Sequence, residues 1–141
     1  ESKAAGAPRP APPRPNFYAP PGADVPADPA RALRDEVDRA RRGAGLGAIV
    51  WDGALGKIAQ EMVEEVAADR PEGAKRALEA GLQASSFRQV ESQQVTAGDF
   101  RALVGLDTWR DPGLRRLGVG VAIVRAGARA GAVALVILSG G

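Results

Sequence analysis

GAGLGAIVWDGALGKIAQEMVEEVAAD, residues 43–69, is the stretch on which the reading of the whole chain turns. It joins a short apolar extended segment to the best amphipathic helix in the sequence. Asp52 stands where an N-cap belongs, its carboxylate able to accept from a first-turn N–H. Beyond it Leu55, Ile58, Ala59, Met62, Val63 and Val66 recur at the spacing of one helical face. Lys57, Gln60, Glu61, Glu64 and Glu65 take the other face, so a core must lie against the apolar stripe. Trp51, just ahead of the cap, is large enough to anchor that core.

Upstream, residues 1–27 hold most of the prolines, which deny both helical hydrogen bonding and central strand pairing. They are expected to form a flexible tether, with residues 28–141 as the folded domain. Phe17 and Tyr18 form the tether's only aromatic pair and could dock on the domain. Asp28-Pro29 reads as an N-cap and first helical residue, with Leu33, Val37 and Ala40 facing inward and Gly43 and Gly45 ending the helix.

Downstream, Pro71 starts a shorter helix with Ala74, Ala77 and Leu78 inside and Gly81 at its close. Residues 87–95 alternate enough for an edge strand. Residues 96–109 read as a further helix, capped by Thr96 with Asp99 three residues on and with Phe100, Leu103 and Val104 inward. Residues 117–124 and 132–138 are rich in β-branched residues and flank a glycine-bearing turn, which predicts an antiparallel hairpin. The second of these strands is apolar on both faces, so it belongs in the middle of a sheet between helical layers.

Composition narrows the function classes. At 141 residues there is room for one small domain, built mainly from Leu, Val, Ile and Ala because aromatics are only 4%. Net charge is only +2 and the arginines are scattered among acids, which argues against a nucleic-acid surface. No stretch approaches the ~20 apolar residues of a membrane span. The chain starts at Glu1 rather than Met and is expected to be a fragment or a processed form whose signal or anchor is gone.

Two runs together resemble the CAP superfamily (cysteine-rich secretory, antigen 5, pathogenesis-related), in particular its bacterial branch. The first comprises Arg39, Gly45-Leu46, Trp51-Asp52 and the helix that follows. The second runs from Trp109 through Asp111-Pro112-Gly113-Leu114-Arg115 to Gly118-Val119-Gly120-Val121-Ala122. The resemblance covers roughly residues 29–139. It implies an α+β fold, a three-layer α/β/α sandwich around a small antiparallel sheet. It also implies a location outside the cytoplasm, whether periplasmic, cell-surface or secreted, which the proline tether suits.

Many CAP domains have a cleft of two histidines and two acids able to hold a divalent metal, but this chain has no histidine. Met62 stands in place of the first and Gly113 or Leu114 in place of the second, with Glu72 and Glu91 as the acids. With neither histidine nor cysteine present, no zinc site and no cofactor are expected. Two carboxylates alone would suit at most a weak Ca²⁺ or Mg²⁺ site, and solvated surface glutamates are the simpler reading. Ser85, Ser86, Ser92 and Ser139 lack an imidazole base, and Lys57 and Lys75 fall on exposed helical faces. Gly118-Val119-Gly120 lacks the third glycine of a nucleotide loop and reads instead as a strand that lets a helix approach closely. The expectation is a monomeric, non-catalytic binding or scaffolding module with a protein or cell-envelope ligand. The alternative is a hydrolase with a carboxylate-based cleft, which requires Glu72 and Glu91 to converge.

Overall fold

A computed structural model of the chain describes residues 25–85, 87 and 89–140. Most of residues 1–27, with Phe17 and Tyr18, lies outside the described residues. Four strands form one mixed sheet in the order β1-β3-β4-β2, where β1 is Val50–Trp51, β2 Val90–Ala97, β3 Arg116–Ile123 and β4 Val133–Gly140. Helices α2 (Gly53–Ala67) and α3 (Pro71–Gln83) cover one face. Helices α1 (Pro29–Gly43) and α4 (Phe100–Val104), with a 3-10 turn at Asp107–Arg110, cover the other. The architecture is the expected α/β/α sandwich. The sheet departs from all-antiparallel only at β1, which pairs with β3 in parallel at Val50↔Arg116 and Trp51↔Leu117.

The alternation of the two central strands sorts the core into halves. Leu117, Val119 and Val121 of β3 and Val133, Leu135 and Ile137 of β4 face α1, together with Leu33, Val37, Leu103 and Trp109. Ala134, Val136 and Leu138 face α2, against Leu55, Ile58, Ala59, Met62 and Val63. On this second face β3 contributes little more than backbone. A Cβ added at Gly118 would lie 2.2 Å from the Leu55 carbonyl carbon, and one at Gly120 would lie 2.5 Å from the Ala59 oxygen. The close helix approach read from Gly118-Val119-Gly120 is therefore what these glycines permit. β4 lies between β3 and β2 and is buried from Val133 to Leu138, as a strand apolar on both faces must be.

The caps at Asp28 and Asp52 form as expected, accepting from the N–H of Arg31 at 3.3 Å and of Leu55 at 2.9 Å. Asp52 also pairs with Arg116 at 2.9 Å, tying the start of α2 to the start of β3. The Leu55 N–H holds the Asp52 carboxyl below the ordinary carboxylate range; partial burial opposes this, and Arg116 adds to the lowering.

Several expected boundaries move. Thr96 belongs to β2, which continues to Ala97, so Asp99 is the cap and accepts from the Ala102 N–H at 2.9 Å. The helix it starts ends at Val104, and a separate 3-10 turn delivers Trp109 to the core, because its indole N–H bonds the Leu103 carbonyl at 2.7 Å. Gly81 does not end α3. A Cβ there would meet Ile58 at 2.6 Å, so the missing side chain lets α3 lie on α2. On α1 the inner stripe is Leu33, Val37 and Arg41, four residues apart, while Ala40 is exposed. Val25, ahead of the first cap, packs against the α1-side core. None of the described helices is long and apolar enough to cross a membrane.

Candidate functional site

The cleft starts from parity. In β2, Glu91 and Gln93 share a face by the period of two, and the pairs Glu91↔Ser139 and Gln93↔Ile137 put both on the α1 side of the sheet. Beyond Gln93 the strand faces the turn around Trp109, and Thr108 Oγ1 donates to Gln93 Oε1 at 3.3 Å. Asp111 folds the chain after this turn: its Oδ1 accepts the Gly113 N–H at 2.8 Å and its carbonyl accepts the Leu114 N–H at 3.2 Å. Between strand and turn lies a depression of about 360 Å³, with Glu91, Gln93, Asp111 and Ser139 at its rim and Leu114, Leu117 and Ile137 inside it.

Arg41 holds the turn in place. It is 2% exposed, and its guanidinium donates from Nη1 to the carbonyls of Trp109 and Asp111, both at 2.8 Å, and from Nε to that of Gly47 at 2.9 Å. It projects from the last turn of α1, where the helix carbonyl end favours a cation. Arg39, the residue matched to the CAP pattern, is instead exposed and pairs with Glu36 one turn away. The signal for Arg41 is present in the sequence as the i, i+4, i+8 continuation of Leu33 and Val37.

The four expected cleft residues fall into two pairs. Glu91 and Leu114 come together in the depression just described. Met62 is buried in the α2-side core, 1% exposed, and Glu72 is an exposed residue in the first turn of α3. There the unpaired N–H groups of the helix start favour an acid whatever else it does. The sheet thus stands between Glu72 and Glu91. Among the described residues no three His, Cys, Asp or Glu side chains gather as a metal site would need. Nothing local in the sequence marks Gln93, Thr108, Asp111 or Ser139, which also line this depression.

No protein-family model matches the chain, and no curated protein matches it. Solved structures do. An outer surface protein from Borrelia burgdorferi superposes with a TM-score of 0.53 at 14% identity, over 78% of this chain and 90% of that one. A cysteine-rich secretory protein from Staphylococcus aureus superposes with a TM-score of 0.50 at 19% identity, over 82% of this chain. The chain has the CAP fold. It spans 40% of the length of the staphylococcal protein. Within the CAP fold the rim around Glu91 carries carboxylate, amide and hydroxyl groups, which can form hydrogen bonds, and the chain has no histidine to act beside them as a base.

Proposed function

We propose that this CAP-fold domain is a non-catalytic binding or scaffolding module that works as a monomer outside the cytoplasm, holding a protein or cell-envelope ligand in the Glu91 cleft. The observation that carries this reading is the composition of the cleft. Glu91, Gln93 and Ser139 offer acceptors and donors around an apolar floor, the arrangement that fixes a ligand's orientation. The placing of Glu72 and Glu91 on opposite sides of the sheet favours this over the hydrolase reading, which relied on their convergence. The extracytoplasmic location rests on the fold shared with an outer surface protein and a secretory protein.

Glu91 and Gln93 are exposed on an edge strand, so Glu91→Arg with Gln93→Arg should change the cleft without unfolding the domain. Co-sedimentation with isolated envelope fragments of the source cells should drop at least about tenfold in the double variant. Equal sedimentation of the two proteins would refute the cleft as the binding site. Hydrolysis of ester, peptide or glycoside probes that disappears in Glu91→Gln would replace the binding reading with the hydrolase.

A further inference from the structure

A second opening lies along the other edge of the sheet. β1 covers β3 at only two positions, after which the chain turns into α2 and the Asp52 N–H bonds the Leu117 carbonyl at 2.8 Å. Backbone groups alternate sides along a strand, so Leu117, Val119 and Val121 present theirs to this edge while Gly118 and Gly120 present theirs to β4. Leu117 is engaged by Asp52. Val121 is engaged by the Gln60 side chain, which accepts its N–H at 3.2 Å and donates to its carbonyl at 3.3 Å, as a neighbouring strand residue would. Val119, between them, has no partner on this side among the described residues.

The space beside Val119 is a groove of about 370 Å³ between α1 and α2. One wall carries Ala30 and Arg34, the other Gly53 and Gly56, and Trp51 stands at the end. The two helix glycines differ from those of β3, since a Cβ added at either would meet no atom within 4 Å. Glycine inside a helix costs about 1 kcal/mol relative to alanine, so Gly56 weakens α2 without making room for any packed neighbour. What its absent side chain does is leave the groove open down to the β3 backbone. Arg34, half-buried in the facing wall, has no carboxylate at ion-pair distance among the described residues. Asp52, by contrast, already serves Leu55 and Arg116.

We propose that this groove binds an extended acidic peptide, added to the sheet as a short strand in line with β1. One peptide residue exchanges N–H and C=O bonds with Val119, and a neighbouring Asp or Glu side chain pairs with Arg34. Gln60 then sets the length of the added strand, because beyond Val119 the edge is already occupied. The main-chain pair is indifferent to peptide sequence, so Arg34 confers the preference for acid.

The test is a titration of the ¹⁵N-labelled full chain with the capped peptides Ac-Ala-Asp-Ala-NH₂ and Ac-Ala-Asn-Ala-NH₂, read by amide chemical shifts. The acidic peptide should move the Val119 amide and the Gln60 side-chain amide saturably, with a Kd of about 1 mM, and the neutral one should bind several-fold more weakly. Arg34→Gln should remove the difference between the two peptides. Gly56→Leu projects into open space and should abolish both responses while the rest of the spectrum stays dispersed as in the wild type. No shift at Val119 up to about 20 mM peptide, or shifts that survive Gly56→Leu, would overturn the proposal. Glu91→Arg should leave these shifts unchanged, which separates this site from the cleft on the other edge.

Discussion

Replacing Arg41 by Met tests the joint between α1 and the cleft. The substitution keeps an unbranched chain of similar reach and removes three charge-assisted hydrogen bonds, to Gly47, Trp109 and Asp111. Such bonds are worth about 1.5–3 kcal/mol each. Against this stands the desolvation of a guanidinium that is 2% exposed, whose Nη2 has no partner among the described residues. That penalty amounts to several kcal/mol. Taking the penalty from the sum of the bonds, and adding back part of the cost of three carbonyls left unserved, gives a net loss of about 3 kcal/mol. For a domain of this size that is a drop of roughly 10–20 °C in Tm. Urea unfolding followed by far-UV circular dichroism measures the loss, and amide exchange at residues 107–114 should accelerate before global unfolding sets in. Arg41→Lys keeps the charge but cannot span from Gly47 to Trp109, so it should recover less than half of the loss. If Arg41→Met unfolded at the wild-type urea concentration, the guanidinium would be a tolerated burial and the turn would be held by its own contacts.

Three further outcomes follow from the packing and the caps. Gly120→Ala forces a methyl against the Ala59 backbone and should cost about 1–3 kcal/mol or prevent folding, whereas Gly56→Ala enters open space and should stabilise by up to about 1 kcal/mol; chemical denaturation of the pair reads the two signs directly. Met62→Ala should cost about 2–5 kcal/mol in the same assay, since it empties volume at a site 1% exposed. The Asp52 carboxyl titrates lower in the folded chain than its ordinary value of 3.8, so its contribution to stability is present above that pH and is lost as the pH falls through the folded pKa. Asp52→Asn, which can still cap Leu55, should flatten the acid limb of a stability–pH profile below about pH 4, and an unchanged limb would assign it to other carboxylates.

The elements visible in the sequence are those specified by neighbours along the chain. α2 shows because its apolar spacing repeats over four turns, and Asp28 and Asp52 show because a cap serves N–H groups two or three residues away. β4 could be placed centrally because a run apolar on both faces has nowhere else to go. What escaped was set by partners distant in sequence. The edge strand expected over residues 87–95 forms, but over Val90–Ala97, because β4 offers a partner to each of those residues; that pairing draws Thr96 out of the expected helix and leaves Asp99 as its cap. Arg41, unlike Arg39 and Arg42, continues the inner stripe of Leu33 and Val37, but its partners, the carbonyls of Trp109 and Asp111, lie 68 and 70 positions on and are not written locally. Glu91 and Leu114, both named from the sequence, line one depression. Whether Glu72 could join them depended on which side of the sheet α3 packs, and the apolar positions Ala74, Ala77 and Leu78 do not encode that side.

The position of β4 in chain order has a consequence for how the domain comes into being. Its residues supply both halves of the core and bond strands on both flanks, pairing Val90 with Gly140 and Leu117 with Ser139. Neither half of the core is therefore complete until β4, the last of the described strands in chain order, is in place. Nascent chains that can fold early do so piece by piece from the N-terminus; this one has no complete piece to fold. Its two core halves therefore close together, in a cooperative step governed by contacts far apart in sequence.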